Sequence, residues 1–286
     1  MSKIHPTAVV DPSVRLGANA VIGPWCVIGP DCTIGEGTEL VAHVHMDRDT
    51  MVGRENIIHP FTIVGGPPQD KKYHGERTTL EVGDRNQIRE YTSIHRGTSN
   101  GGGVTVVGSD NLIMGCVHIA HDCRIGSHAI LANNAMIAGH VTVCDGANIG
   151  GGAGLHHFVR VGTRGFIGAM ARVSKDVPPF MIVEGNPAEV RGHNAIAMRR
   201  LGLGDAEVEA MKDAYKRLFR DRGGSIIEKL AALRRDYADF ASVQTLCDAV
   251  LETAGGVHGR SQESQRADDK RGSRVANTNA PATPEA

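Results

Sequence analysis

The sequence is poor in aromatic residues and contains no long hydrophobic run. Phe, Trp and Tyr make up only 4% of the 286 residues, which is too few for the mixed aromatic core of an ordinary globular domain. No stretch approaches the ~18 consecutive apolar residues of a membrane-spanning helix, and the N-terminal segment MSKIHPTAVV lacks the apolar region of a signal peptide. We therefore expect a cytoplasmic protein without a transmembrane segment.

Charge and cysteine content exclude two further classes. The chain has 31 Lys and Arg residues against 32 Asp and Glu residues. Because the chain has no excess of positive charge that would attract nucleic acid, we expect no nucleic-acid partner. The six cysteines show neither CxxC nor CxC spacing. The sequence therefore predicts neither a disulfide framework nor a cysteine-based zinc site.

An apolar residue recurs at every sixth position over most of the chain. The first run comprises Ile4, Val10, Leu16, Ile22, Ile28, Ile34, Leu40, Met46, Val52, Ile58 and Val64. The pattern returns at Val82, Ile88 and Ile94. It resumes one residue out of phase at Val107, Ile113, Ile119, Ile125, Leu131, Ile137, Val143, Ile149, Leu155, Val161, Ile167 and Val173.

This period of six predicts a solenoid of short strands. A helix repeats every 3.6 residues and a plain strand alternates every two, whereas hexads separated by sharp turns stack their aliphatic side chains inside a coil. Three hexads give a triangular coil of 18 residues, and successive coils are expected about 4.8 Å apart. Cys26, Cys32 and Cys123 fall in the small-residue position of the hexad, where we interpret them as interior filler.

Two interruptions and a change of pattern divide the chain. Residues 65–81 keep the hexad phase and the Gly-rich residues 95–106 shift it. We interpret both as loops inserted in a solenoid over residues 1–190, because they interrupt the hexad pattern. Binding residues tend to lie on such loops of a rigid scaffold. A small helical domain is predicted over residues 191–254. Residues 255–286 are polar and lack aromatics, which predicts a disordered tail.

Three helices are predicted after the hexads end. Asp205 is expected to N-cap a helix over residues 206–220 with one apolar face. Ser225 and Glu228 form a capping-box pattern before the second helix. The third helix is predicted over Val243–Thr253.

Histidines recur at the corners of successive predicted coils. His121, His140 and the pair His156 and His157 follow the aliphatic residues of three coils in turn, and His118 closes the preceding corner. Stacking of the coils would place these side chains on one face, in rows roughly 5 Å apart. Any one of them alone would be read as a solvated turn residue, but their recurrence on one face favours a site.

These residues could catalyse acyl transfer. Histidine titrates near neutral pH and suits general base catalysis, and Asp122 could hold the other ring nitrogen of His121. Gly139 could present its backbone N–H to an oxyanion. No serine lies in a nucleophile-elbow motif. The pattern therefore predicts direct attack of a hydroxyl on the acyl donor, without a covalent enzyme intermediate.

Several longer motifs carry a family resemblance. They are GGPPQDKKYHGE (65–76), VGDRNQIRE (82–90), IHRGT (94–98), VGSDNLIM (107–114), HIAHDC (118–123), LANNAMIAGHV (131–141) and DVPPF (176–180). Together and in this order, they resemble the acyl-[acyl-carrier-protein]–UDP-N-acetylglucosamine O-acyltransferases that begin lipid A biosynthesis. The resemblance extends over about residues 4–250 and excludes the tail.

The resemblance implies a fold, an assembly and a reaction. The fold would be a left-handed parallel β-helix assembled as a homotrimer, with active sites in clefts between subunits and with no metal or cofactor. The reaction would move an (R)-3-hydroxyacyl group from acyl carrier protein to the 3-hydroxyl of UDP-N-acetylglucosamine.

The resemblance also implies roles for single residues. His121 would be the general base, Asp122 its partner and Gly139 the oxyanion donor. Ala169 would limit the length of the acyl chain. Residues that would bind the sugar nucleotide or line the same cleft are Asp70, Lys72, His118, His140, His156, His157, Asn194 and Arg200.

Two departures from the family pattern keep alternatives open. His157 stands where the family has Gln, and Ile196 stands where it has Glu, so the acceptor could be a related amino-sugar nucleotide. A second alternative is a zinc enzyme similar to gamma-class carbonic anhydrases, using His118, His121 and His140. The sister N-acyltransferase of lipid A assembly, an acetyl-CoA-dependent acetyltransferase and a purely structural solenoid fit the sequence less well.

Overall fold

The computed structural model describes residues 2–257 and 259–265, and most of it is built from very short strands. The strands β1 to β28 are, in chain order, Lys3–Ile4, Val9–Val10, Arg15–Leu16, Val21–Ile22, Val27–Ile28, Thr33–Ile34, Glu39–Leu40, His45–Met46, Thr50–Val52, Ile57–Ile58, Ile63–Gly66, Thr79–Val82, Gln87–Ile88, Ser93–His95, Val104–Val107, Leu112–Ile113, His118–Ile119, Arg124–Ile125, Ile130–Leu131, Met136–Ile137, Thr142–Val143, Asn148–Ile149, Gly154–Leu155, Arg160–Val161, Phe166–Ile167, Arg172–Val173, Met181–Gly185 and Ala188–His193.

The strands stack into the three faces of a left-handed parallel β-helix, as the hexads and the family resemblance predicted. The three sheets contain eleven, nine and eight strands. Ile4 pairs with Ile22 and Ile22 with Leu40, so one coil has the 18 residues expected from three hexads. In the two-residue strands, the repeated apolar residue is the second residue and points inward. From Ile22 onward these residues are buried, whereas Ile4, in the first coil, is 50% exposed.

The corners place particular residues in the left-handed backbone region. Asp122, His140 and Phe158 have φ values of 61°, 63° and 63°. They occupy the same corner position in three successive coils, because Ile119 pairs with Ile137 and Ile137 with Leu155. The solenoid thus stacks these three side chains in one column.

Two insertions interrupt the coils, and both are shorter than the sequence suggested. The first loop is residues 67–78, between β11 and β12, and the second loop is residues 96–103, between β14 and β15. The flanking residues of the predicted 65–81 and 95–106 segments belong to strands instead. A short 3-10 helix, Ser99–Gly101, lies within the second loop. Parallel pairing continues across both insertions, so each loop leaves the coil after a strand of the nine-stranded sheet and returns at the same corner to a strand of the eight-stranded sheet.

The C-terminal region begins with an antiparallel hairpin that the sequence analysis did not identify. Strands β27 and β28 form it, and it crosses the boundary predicted at residue 190. The helices that follow are α1 (Ala195–Arg200), α2 (Asp205–Tyr215), a π-helical segment (Lys216–Arg220), α3 (Ile226–Asp236), α4 (Ala241–Ala254) and a 3-10 helix (Gly259–Gln265). The division into domains at residue 190 stays a prediction.

Most helix expectations are confirmed, with two corrections. Ser225 and Glu228 form the capping box of α3, and the predicted third helix lies within α4. The N-cap of α2 is Gly204 rather than Asp205, which is the first helical residue. The predicted helix over residues 206–220 also changes to π-type hydrogen bonding after Tyr215.

The segment after residue 254 departs from the predicted disorder. Residues 259–265 form a 3-10 helix, and the Arg260 N–H donates to Asp176 Oδ1 at 3.2 Å. The remainder of the predicted tail, residues 266–286, lies outside the described residues. Within the described ranges, no helix is both long enough and apolar enough to cross a bilayer.

Candidate active site

The histidine row of the sequence analysis resolves into two adjacent columns. His121 is stacked with Gly139 and His157, whereas His140 is stacked with Asp122 and Phe158, because His140 lies one residue further into its corner. The backbone reflects this offset, since the His140 N–H donates to the His121 carbonyl at 3.0 Å. The structure thus divides the expected face into two columns that are offset by one residue. The offset places His140 beside the Asp122 carboxylate.

His121 and Asp122 form a buried dyad. The His121 Nδ1 atom lies 2.7 Å from Asp122 Oδ2, and the Asp122 side chain is fully buried. Burial alone would raise the pKa of this carboxyl, but hydrogen bonds from His121 and from the Thr98 N–H and hydroxyl outweigh it, and the pKa of Asp122 is lowered. The carboxylate is therefore ionised near neutral pH. It can orient the imidazole and stabilise a positive charge on it.

His140 shares the same carboxylate oxygen. Its Nε2 atom lies 3.7 Å from Asp122 Oδ2, and its ring stands perpendicular to that of His121 with centroids 5.2 Å apart. On the other side, the ring stacks on Phe158 at 4.4 Å. This stacking fixes the plane of His140 beside the dyad.

The dyad and His140 also meet the geometric requirement for a metal site. Within the described part of the chain, His121, Asp122 and His140 form the one group of potential ligands whose atoms lie within 4.8 Å of one another. His118, which the zinc alternative required, is not in that group. Of the two histidines, His121 hydrogen-bonds Asp122 Oδ2 at 2.7 Å, whereas His140 Nε2, at 3.7 Å, is too far for a hydrogen bond.

Gly139 lies directly against the His121 ring. A Cβ atom on Gly139 would be 2.6 Å from His121 Cε1 and 2.9 Å from Nε2, so a side chain at this position would collide with the imidazole. Within residues 2–257 and 259–265, the Gly139 N–H donates to no protein atom. An unused N–H beside a candidate base is the geometry that oxyanion stabilisation needs.

His95 belongs to this cluster, although the sequence analysis did not select it. It is 6% exposed, and its ring stands perpendicular to that of His118, with centroids 5.0 Å apart. Burial, aided by the charges of His118 and His121, lowers the pKa of His95 to about 4. His95 is therefore neutral near pH 7. It was missed because it ends β14 next to the phase shift, where the hexad gives no register.

His118 faces outward from β17 and is held by the preceding coil. Its Nδ1 atom lies 2.8 Å from Ser93 Oγ, and burial, with the charge of His121, lowers its pKa. Its neighbour in the next coil is Met136, which is 55% exposed. The outer surface of the site thus combines a neutral imidazole with an exposed apolar side chain.

The last two predicted histidines lie at the far end of the site. The rings of His156 and His157 are perpendicular, with centroids 5.2 Å apart. His157 is exposed, and its carbonyl accepts a hydrogen bond from Arg260 Nη1 at 3.2 Å. The buried His156 Nδ1 atom has no partner among the described residues.

The first loop carries Asp70 and Lys72 and is tied to the second. Asp70 Oδ1 accepts from the Lys72 N–H at 3.0 Å, which makes a local turn. Lys72 is exposed. Tyr73 accepts a hydrogen bond from Arg96 Nη2 at 3.3 Å, and Arg96 belongs to the second loop. The structure thus links the two loops, but it places neither Asp70 nor Lys72 in contact with the dyad.

The other predicted residues lie away from the dyad. Asn194 caps α1 through its Oδ1 and donates to the Arg164 carbonyl at 2.9 Å, so its carboxamide joins the first helix to the solenoid. Ile196 is 64% exposed, and Arg200 is exposed at the end of α1. Ala169 is exposed at a corner of the solenoid. Their roles stay predictions.

Comparison with known families agrees with the fold. Residues 13–48 and 104–139 match the bacterial transferase hexapeptide family. Residues 176–258 match domain 2 of UDP-N-acetylglucosamine O-acyltransferase. The second match covers the hairpin and the helices, which are not hexapeptide repeats.

Two curated relatives cover most of the chain, and both are named acyl-[acyl-carrier-protein]–UDP-N-acetylglucosamine O-acyltransferase. The relative from Agrobacterium fabrum is 41% identical over 250 residues, which are 87% of this chain and 92% of its own. The relative from Verminephrobacter eiseniae is 49% identical over 220 residues, or 77% and 84% of the two chains.

Solved structures show the same similarity in three dimensions. The UDP-N-acetylglucosamine O-acyltransferase of Moraxella catarrhalis is similar with a TM-score of 0.83 and 40% identity, covering 87% of this chain and 97% of its own. The UDP-N-acetylglucosamine acyltransferase of Bacteroides fragilis has a TM-score of 0.85 at 33% identity, with the same coverage.

Proposed function

This chain belongs to the family of acyl-[acyl-carrier-protein]–UDP-N-acetylglucosamine O-acyltransferases, and we propose that His121 is the general base of its reaction. The protein transfers an acyl group from acyl carrier protein to UDP-N-acetylglucosamine, a step of lipid A biosynthesis. The observation that supports His121 as the base is its 2.7 Å contact with the buried, ionised Asp122.

The proposed mechanism is direct attack. His121 removes the proton from the 3-hydroxyl of the sugar as its oxygen bonds to the thioester carbonyl carbon. The resulting oxyanion accepts a hydrogen bond from the Gly139 N–H. The carbon–sulfur bond then breaks, and the thiol of the carrier protein leaves with the proton that His121 had taken. Asp122 stays ionised throughout and stabilises the imidazolium.

We propose that the donor chain is (R)-3-hydroxylated and that Ala169 limits its length. The remaining predicted contacts would hold the nucleotide and line the cleft. The predicted cytoplasmic location and the absence of a cofactor stay predictions.

A homotrimer is supported by apolar surface beside the site. Met136 is 55% exposed next to His118, and Ile63 and Val27 on the same sheet are 42% and 40% exposed. A neighbouring subunit would bury these side chains and close the cleft. Light scattering of the purified protein after gel filtration measures the mass, and a monomer would contradict the proposed assembly.

The reaction is tested by incubating the protein with UDP-N-acetylglucosamine and a panel of acyl and 3-hydroxyacyl carrier proteins. Mass spectrometry should show one acyl group on the sugar nucleotide, from a narrow range of donors. No product with any donor would shift attention to amino-sugar nucleotides. Metal analysis of the same sample tests the zinc alternative, because a stoichiometric ion lost together with activity would favour it.

The base is tested by His121→Ala. We expect this variant to fold normally and to lose ~10²- to 10⁴-fold in turnover, the usual contribution of a general base. A suitable control is His5→Ala, because His5 is an exposed histidine of the first coil, away from the dyad and from the apolar surface beside the site. Wild-type turnover by the His121 variant would refute the mechanism.

A further inference from the structure

We propose that Thr98 is a positioning residue of the reaction, which holds the Asp122 carboxylate directed at His121. The inference rests on the proposed function of the dyad. It assigns a task to the second loop, which none of the predicted site residues occupies. Thr98 lies 24 residues before Asp122 in sequence, and the loop brings it across the corner.

Thr98 makes two hydrogen bonds to the carboxylate. Its N–H donates to Asp122 Oδ1 at 2.8 Å, and its hydroxyl donates to Oδ2 at 2.7 Å. Oδ2 is also the oxygen that contacts His121 Nδ1. Both oxygens are therefore fixed, and the carboxylate cannot rotate away from the imidazole without breaking a bond to Thr98.

The second loop covers the carboxylate. With the backbone included, Thr98 is 3% exposed and Asp122 is 6% exposed. A Cβ atom on Gly101 would lie 2.0 Å from Asp122 Cγ, so the backbone of the loop packs directly on the acid. Water cannot replace the Thr98 donors at such a site, which makes a buried charge depend on its protein partners.

The loop itself is held in place by a buried cation. Arg96 is 2% exposed, and its Nη1 atom donates to Asp47 Oδ2 at 2.5 Å and to the Gly65 carbonyl. Only Gly97 separates this anchor from Thr98. The position of Thr98 is thus set by contacts that do not involve the dyad, as a positioning role requires.

Loss of the Thr98 hydroxyl has a definite consequence for pH dependence. A hydrogen bond to a charged carboxylate favours the ionised form, so its removal raises the proton affinity of the dyad as a whole. The active form, with Asp122 ionised and His121 able to accept a proton, is then lost at a higher pH. The acid limb of kcat/KM should move upward.

The test compares Thr98→Val, Thr98→Ser and Thr92→Val. We expect Thr98→Val to lower kcat/KM about 10- to 100-fold, as for a small misplacement of a catalytic group, and to raise the acid-limb pKa by about one unit. Thr98→Ser keeps the hydroxyl and should restore both values. Thr92 is a buried threonine whose hydroxyl donates to the Met114 carbonyl at 3.0 Å, so its variant should lose stability without moving the acid limb.

Each outcome is decisive. An unchanged acid limb in Thr98→Val, an equal shift in Thr92→Val, or no recovery in Thr98→Ser would overturn the proposal. If the wild-type protein shows no acyl transfer, the proposed function fails separately. The imidazole ¹⁵N shifts of His121, followed against pH by NMR in wild type and Thr98→Val, then decide the role of Thr98 without any activity, since an identical titration would overturn it.

Discussion

Replacing Gly139 by alanine should disable the base without removing any group that takes part in the reaction. The backbone of Gly139 lies outside the left-handed region, so alanine can adopt its conformation. The new methyl, however, would lie 2.6 Å from His121 Cε1 and 2.9 Å from Nε2. Carbon atoms in contact normally stay about 3.5–4.0 Å apart, and the ring must therefore retreat by about 1 Å.

That retreat has a predictable cost. The His121 Nδ1 atom is held at 2.7 Å from Asp122, so the ring must stretch this bond or tilt its Nε2 atom away from the substrate. A misplacement of about 1 Å lowers rates by roughly 10²-fold. We therefore expect kcat/KM to fall by about that factor, with a loss of about 1–3 kcal/mol in the free energy of unfolding from overpacking.

The assay is the initial rate of acyl transfer to UDP-N-acetylglucosamine, measured with the preferred donor, together with thermal unfolding. Gly115→Ala is the matched control, because its methyl would lie 3.1 Å from Nδ2 at the flexible end of Asn133 and at an ordinary contact distance of 3.4 Å from the Glu90 carbonyl oxygen. We expect this control to keep the wild-type kcat/KM. Since Gly139→Ala retains the backbone N–H, wild-type activity in that variant would refute the placement of the imidazole against residue 139.

Two further predictions concern stability and donor choice. The pKa of His95 is about 4 in the folded protein and about 6.5 in an unfolded chain, so the unfolded state binds more protons between these values and stability falls as the pH drops through this window. We expect the free energy of unfolding, measured with urea, to fall by roughly 1–2 kcal/mol between pH 7 and pH 5. The His95→Gln variant should lose less stability over the same range. An equal loss in that variant would contradict a neutral buried His95. Ala169→Gly should shift preference towards longer donors in the carrier-protein panel, because each methylene that newly fits gains about 0.8 kcal/mol; an unchanged preference would exclude Ala169 as the limit.

The amino-acid sequence by itself determined the solenoid. Ile119, Ile137 and Leu155 are equivalent positions of successive coils. Aliphatic side chains that recur at every sixth residue are all buried only when the chain winds into coils that stack on one another. The period alone also places His121, His140 and His157 at neighbouring corners, because each follows one of these aliphatic residues at a similar distance along the chain. Adjacency in the chain made Asp122 the natural partner of His121.

Only the tertiary structure decided how the site is completed. A period predicts which coil a residue occupies, but an offset of one residue at a corner changes the column to which its side chain belongs. This offset places His140 in the column of Asp122 and not in that of His121. Loops carry no period at all. The contacts of Thr98 with Asp122 and of Arg96 with Asp47 therefore depend on the path of the second loop through space, because hydrogen bonds between residues far apart in the chain form only after the coils have stacked.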